Sequence, residues 1–390
     1  MSMRIAFVSD THFGYPRFEQ DAYKQGRAAI LDAASKADVL LLGGDIFDHR
    51  IPKLETLSEA ASILQEALVL LPKNGFHPIL GIHGTHERRA KDALNPFAML
   101  ARFGLVSDVH NTTVVLDRES PKSGLGKSDV PSESGPTEPP ARHSSERVAI
   151  SGLGGVPDDL VREALSRLSC QPLEGATNLF LFHQTMAEFV PAAKNLASLD
   201  DLPGGYDWYL CGHLHGRKEY MGGKLLIPGS TVLTQMKDEE TAQKGYYLLD
   251  TSSRSSSFVP IKTRPFEVSE LSFERAAPAS VRLSVQNEIS RLLSKEWAAK
   301  PILKIRLTGS LSHASGELDL SGLDSEKAYL TIDDQLDGGS LAASLAQLKE
   351  ERMNKATPFE LGLSLLRENA QAAGLDPAKA QEYFERFSQE

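Results

Sequence analysis

The chain has 390 residues, 41% of them hydrophobic and 24% charged, with a formal net charge of −10. At roughly 150 residues per domain, that length predicts two or three domains of an ordinary globular class. It holds no run of about 18 apolar residues for a membrane helix. Its two cysteines, Cys170 and Cys211, cannot build a disulfide framework, and the acidic balance argues against a chain that coats nucleic acid over its whole surface.

Residues 1–10 run straight into a strand-like stretch, so no signal peptide is expected. Together with the cysteine count this suits a reducing, cytoplasmic compartment. Short apolar strands are expected at 5–8, 39–42, 77–82, 113–116, 148–151, 179–182, 207–210, 225–227 and 246–249. Amphipathic segments lie between several of them. The clearest is 55–71, apolar at 57, 60, 61, 64, 67, 68 and 71 and closed by Pro72. The pattern predicts a layered α/β sandwich.

Residues 119–147 interrupt it. Fifteen of these 29 residues are Pro, Gly or Ser, too little apolar surface to offset the entropy of ordering. They are expected to form a flexible loop between two strands, with His143 exposed. A second composition shift comes at Arg264-Pro265-Phe266. Beyond it a strand (266–271), a helix (about 279–293) and two strands (302–307 and 328–332) predict a small α/β module. Residues 262–306 hold nine Lys or Arg against five Asp or Glu, so this module opens basic. From about 340 the chain reads as amphipathic helix, restarting at Asp376-Pro377. The expected domains are 1–263, 264–338 and 339–390.

Five polar pieces follow expected strands. They are Asp10-Thr11-His12, Gly43-Gly44-Asp45-Ile46-Phe47-Asp48, Gly84-Thr85-His86-Glu87, His183, and Gly212-His213-Leu214-His215. Ligand sites of α/β sheets form outside the carboxyl ends of strands. In an extended segment Asp10 and His12 point the same way, as do His213 and His215. Four imidazoles (His12, His183, His213, His215) and two carboxylates (Asp10, Asp45) then converge. That mixed nitrogen and oxygen set suits Mn²⁺, Fe²⁺ or Zn²⁺ better than Mg²⁺ or Ca²⁺. Its size calls for two divalent ions.

This ordered set resembles the calcineurin-like metallophosphoesterases, over roughly residues 3–250. The resemblance implies a phosphoesterase β-sandwich flanked by helices. It implies one ion held by Asp10, His12, Asp45 and His215, and another held by Asp45, position 85, His183 and His213. His86 would then be catalytic rather than a ligand, and Asp48 would orient it by a hydrogen bond. One position departs: Thr85 stands where the family carries Asn, which predicts a weaker second ion, completion of that site by water, or help from His83. His49 faces either the cleft or solvent; His77, His110 and His313 are expected to be structural or exposed.

The phrases Gly81-Ile82-His83-Gly84, Gly152-Leu153-Gly154-Gly155-Val156-Pro157, Phe182-His183-Gln184 and Lys262-Thr263-Arg264-Pro265-Phe266 resemble the SbcD/MRE-eleven branch of DNA double-strand-break repair nucleases. That resemblance implies an exo- or endonuclease using Mn²⁺ first, with Fe²⁺ or Zn²⁺ as alternatives. It also implies a DNA-capping module at 264–338 and a tail that docks on an SMC-like ATPase of the SbcC/Rad-fifty type. It places the protein in the cytoplasm at the nucleoid, off the membrane, and leaves a homodimer open. Arg50, Arg88, Arg89, Lys91, Arg217 and Lys218 lie beside the motifs and are candidate phosphate contacts for sequence-independent DNA binding. The rival readings are a small-molecule or nucleotide phosphodiesterase and a non-catalytic scaffold that kept the fold.

Overall fold

The structure is a computed structural model that describes residues 2–72, 76–89, 93–118, 146–190, 195–312 and 318–337. The chain divides into two compact units, Met1–Arg264 and Pro265–Glu390.

The first unit is built on two six-stranded sheets. The first sheet begins with four parallel strands, β1 (Arg4–Val8), β2 (Val39–Leu42), β3 (Ile79–Gly81) and β4 (Ser107–Asp108). The chain then crosses to the second sheet for β5 (Thr113–Arg118), β6 (Glu146–Leu153), β7 (Thr177–Phe182), β8 (Trp208–Cys211), β9 (Lys218–Tyr220) and β10 (Leu225–Ile227). It returns with β11 (Gly245–Asp250), antiparallel to β1, and β12 (Ser255–Pro260) at the edge. The second sheet runs in the order β5-β6-β7-β8-β10-β9.

Side chains alternate across a strand, and here both faces are apolar. Ile5, Phe7, Val39, Leu41, Leu179 and Leu181 fill the core between the sheets. Ala6, Val8, Leu40 and Leu42 face outward and are covered by α1 (Glu19–Lys36), α2 (Leu54–Leu70) and α3 (Pro96–Arg102). Phe180 and Phe182 face outward from the second sheet, against α4 (Val161–Ser166). The result is a helix–sheet–sheet–helix stack. Among the described residues no helix is long and apolar enough to cross a membrane.

Several boundaries differ from expectation, two of them near the site and the loop read from composition. The strand expected at 77–82 is only Ile79–Gly81, because the His77 ring bonds to the Ile79 main chain and to the Gly104 carbonyl. Glu146 and Arg147, read as loop, begin β6, which pairs antiparallel with β5. The rest of that stretch, 119–145, lies outside the described residues, as do His313 and 338–390, including the expected tail helices.

The second unit carries β13 (Phe266–Ala276), α5 (Pro278–Leu293), β14 (Ile302–Leu311) and β15 (Tyr329–Asp337), with all three strands parallel. Leu303, Ile305 and Leu307 bury one face against Val281, Val285 and Ile289. The basic opening read from the sequence is largely offset by ion pairs. Lys295 meets Glu267, Arg291 meets Glu288, and Lys304 and Arg306 both meet Asp333.

Candidate metal centre

The β1–β2 pairing continues past the strand ends into the two loops. Asp10 N donates to Gly44 O (3.1 Å), His12 N to Asp45 O (3.0 Å) and Phe13 N to Ile46 O (2.8 Å). This lays the Asp10–His12 segment beside the Asp45–Asp48 segment. The turns needed are strained: Asp10, His12, Asp45 and His213 all take φ between 46° and 80°. Non-glycine residues rarely adopt that region, and such strain concentrates at functional sites. Gly44, with φ of 94°, supplies the turn before Asp45.

Both sheets feed the site. β1, β2 and β3 deliver Asp10 and His12, Asp45 and Asp48, and Thr85 and His86. β7 and β8 deliver His183, His213 and His215. Among the described residues, three groups of potential ligands have atoms within 4.8 Å of one another: Asp10–His12–His215, Asp45–His183–His213 and His12–Asp48–His86. The first two are the ligand sets expected for two ions, minus the shared Asp45 and position 85. Thr85 Oγ1 points into the second group, 3.4 Å from Asp45 Oδ2 and 3.5 Å from His213 Nδ1.

The third group is a hydrogen-bond cluster. His12 Nδ1 donates to Asp48 Oδ1 at 3.1 Å. His86 Nδ1 donates to the Asp48 main-chain carbonyl at 2.8 Å and lies 3.6 Å from its carboxylate. The hydrogen bond between Asp48 and His86 therefore runs through the Asp48 backbone, while the Asp48 carboxylate serves His12. Burial raises Asp48, yet the His12 hydrogen bond and charge outweigh it and keep the carboxyl below its usual range.

The two ligand groups fit cations. Asp10 and Asp45 are at most 1% exposed, and among the described residues neither pairs with a lysine or arginine. Buried carboxylates without such partners call for another cation, a metal ion or, in its absence, a protonated imidazole. His12 Nε2 and His215 Nε2 face each other at 3.2 Å. Metal–nitrogen bonds of about 2.0–2.1 Å set two ligand nitrogens roughly 3.3 Å apart. His183 is fully buried, and its Nε2 has no hydrogen-bond partner although Asp45 Oδ2 stands 3.1 Å away. Its Nδ1 donates to Gly43 O at 2.7 Å, which leaves Nε2 as the atom that could face an ion.

Residues 3–217 match the calcineurin-like phosphoesterase family. The chain is a calcineurin-like phosphoesterase. Family and ligand groups together make it a divalent-metal hydrolase of phosphoesters. The phosphoesterase is similar to the DNA double-strand break repair protein Mre11 of Methanopyrus kandleri, at 26% identity over 94% of this chain and 82% of that protein. The protein of the same name from Sulfolobus acidocaldarius is 24% identical over 79% of this chain and 76% of its own.

A cavity of about 660 Å³ opens beside His86, lined by Asp48, His49, Arg50, Ile51, Thr85 and Arg88. His49 therefore faces the cleft. Arg50 and Arg88 are the basic candidates that line the cavity. Arg89 instead bonds the Leu94 carbonyl, Lys218 pairs with Glu239, and Arg217 lies over the Phe258 ring. Lys91 lies outside the described residues. His83 belongs to none of the three groups; its ring packs against His110 and under Gly154.

Sequence reasoning quoted Glu87 in the third polar piece but gave it no role. It is fully buried in the phosphoesterase, and its carboxylate accepts from Gly84 N (2.8 Å) and Phe47 N (3.0 Å). It thus staples the loop bearing Thr85 and His86 to the loop bearing Asp45 and Asp48. Burial, aided by the Asp45 charge, pushes its carboxyl up to about 7. Its place directly after Gly84-Thr85-His86 was the available signal.

Metal uptake in the phosphoesterase should depend on pH. Burial lowers His183, but the charges of Asp45 and Asp10 overcome this and carry it up to about 9 in the metal-free protein. An ion needs the neutral ring. Near pH 7 a bound proton must therefore leave, so affinity should climb as pH rises toward 9, by up to roughly tenfold per unit. Calorimetric Mn²⁺ titrations across that range measure the slope; a flat profile would contradict it.

Proposed function

We propose that this phosphoesterase is a metal-dependent DNA nuclease of double-strand-break repair. The observation that carries the reading is its likeness, across most of the chain, to relatives named for that repair. The open cavity beside His86, edged by Arg50 and Arg88, supports a charged polymer as substrate. Nothing in the chain resembles a base-reading motif, so binding is sequence-independent. The same resemblance brings an SMC-like ATPase as partner, through residues 339–390.

Asp10, His12, Asp45 and His215 would hold one ion; Asp45, Thr85, His183 and His213 would hold the other, with Mn²⁺ the best match. Two such ions, when bound, supply a nucleophile at neutral pH and offset the charge of the phosphate. The chain's own part is alignment and proton movement. Asp48 fixes the His12 ring, and the Gly43 carbonyl fixes His183. The Asp48 carbonyl accepts only, so His86 Nδ1 carries a hydrogen, and Nε2 holds the exchangeable proton. His86 is 43% exposed at the cavity wall, where Nε2 is placed to protonate a leaving oxygen.

The test is Mn²⁺-dependent cleavage of linear and hairpin-ended duplexes, run beside a small aryl phosphodiester. Hydrolysis of the small diester with DNA left intact would overturn the nuclease reading in favour of a small-molecule phosphodiesterase.

Thr85 gives a sharper expectation. Its hydroxyl is a weaker donor, on a shorter arm, than the amide oxygen of Asn. The ion of the Asp45–His183–His213 group should bind more weakly than the other, and Thr85→Asn should tighten it. Two equally tight ions in the parent protein would refute this account.

A further inference from the structure

Residues 230–244 lie beyond the family match, which ends at 217, and their charges resemble a solvated loop. Yet Glu240 is 2% exposed and Lys244 3% exposed. We propose that Glu240 is a positioning residue for the metal centre, acting through Thr234 on His215, with Lys244 fixing the His215 main chain. The proposal rests on the reading of His215 as a metal ligand.

The hydrogen bonds set the direction of the relay. Glu240 accepts from the backbone N–H groups of Thr234 (3.2 Å), Gln235 (3.0 Å) and Met236 (3.0 Å). It also accepts from the Thr234 hydroxyl, 2.9 Å away. The hydroxyl has one hydrogen, and it goes to the carboxylate. Thr234 Oγ1 must therefore accept from His215 Nδ1, its other close partner. The ring hydrogen is thereby held on Nδ1. His215 Nε2 keeps its lone pair, on the side that faces His12 Nε2 at 3.2 Å.

The backbone is held as well. Lys244 Nζ donates to the His215 carbonyl (2.8 Å) and to Ser230 Oγ (2.9 Å), and stands 3.5 Å from Glu240. Ser230 N donates to the same His215 carbonyl, while Thr231 N donates to the Asp10 carbonyl. The Tyr15 hydroxyl, three residues past His12, donates to the Thr234 carbonyl. One segment thus grips the Asp10–His12–His215 group at several points. His12 and His183 have direct outer acceptors in Asp48 and the Gly43 carbonyl; His215 has Glu240 at one remove.

Thr234→Val keeps the side chain's shape and leaves the backbone bonds to Glu240 in place. It should weaken one of two Mn²⁺ equivalents by about 10- to 100-fold, the usual effect of losing an outer partner of a metal ligand. Calorimetry and the electron paramagnetic resonance of bound Mn²⁺ read this directly, and the metal-free protein should melt as the parent does. Thr234→Ser, which restores the hydroxyl, should bind Mn²⁺ as the parent does. Parental Mn²⁺ binding in Thr234→Val would overturn the proposal. So would a Ser variant as weak as the Val variant, since that traces the loss to packing. The readout is metal binding without DNA, so failure of the nuclease reading leaves this result standing.

Discussion

Replacing His86 with alanine should lower DNA cleavage by about 10²-fold or more while both Mn²⁺ equivalents stay bound. The expectation follows from where its ring nitrogens go. Nδ1 is committed to the Asp48 carbonyl, and the ring lies edge-on to His12 with centroids 5.0 Å apart. Neither Asp10–His12–His215 nor Asp45–His183–His213 includes it; it lies in the separate His12–Asp48–His86 cluster. Its backbone N–H donates to Asp45 Oδ1 at 2.8 Å, a bond that alanine keeps. The substitution therefore removes a proton donor and leaves the ion cradle alone. Single-turnover cleavage with excess Mn²⁺, alongside a calorimetric ion count, separates the two effects. Ion loss in parallel with activity loss would make His86 a ligand and defeat the assignment.

The legible parts of this site share one property: they sit on strands buried on both faces. Val39–Leu42 is an unbroken apolar run, and such a strand announces both itself and the polar turn that follows it. Every ligand candidate lies in such a turn. The strands that escaped notice lack the pattern. β12 opens Ser-Ser-Ser at an exposed edge, and β4 is two residues long. Helix α1 buries mostly alanines (Ala22, Ala29, Ala33 and Ala34), so its stripe is faint. Glu87 and Glu240 were hidden for a different reason. A carboxylate reads as surface unless its partners are known, and theirs come from distant or main-chain atoms: Phe47 N for Glu87, and the N–H groups of 234–236 for Glu240. Backbone donors leave no trace in side-chain composition. The role of Asp48 has the same origin, because the resemblance paired Asp48 with His86 but did not say which of its oxygens would be used.

Gly84→Ala should damage the metal centre more than His86→Ala does. A methyl group at this position would stand 2.1 Å from Asp45 Oδ1 and 2.3 Å from Asp45 N. The nearest atoms include backbone that has little room to give. Asp45 is 1% exposed, sits at φ of 48°, and lends its carbonyl to His12 N. The Glu87 carboxylate pins the other side, bonding Gly84 N and Phe47 N at once. Relief of the clash must separate the two loops, and the Asp45 carboxylate moves with them. Overpacking of this kind costs about 1–3 kcal/mol, so the metal-free protein should melt several degrees lower. Because Asp45 is expected to serve both ions, bound Mn²⁺ should fall below two equivalents, and cleavage should drop beneath the His86→Ala level. Gly204→Ala is the matched control, since a methyl there meets nothing within 4 Å. It should melt, bind Mn²⁺ and cleave as the parent does. A Gly84→Ala protein with parental melting and two tight ions would mean the loops part freely, and the close approach of Gly84 to Asp45 would then not be what holds the carboxylate in place.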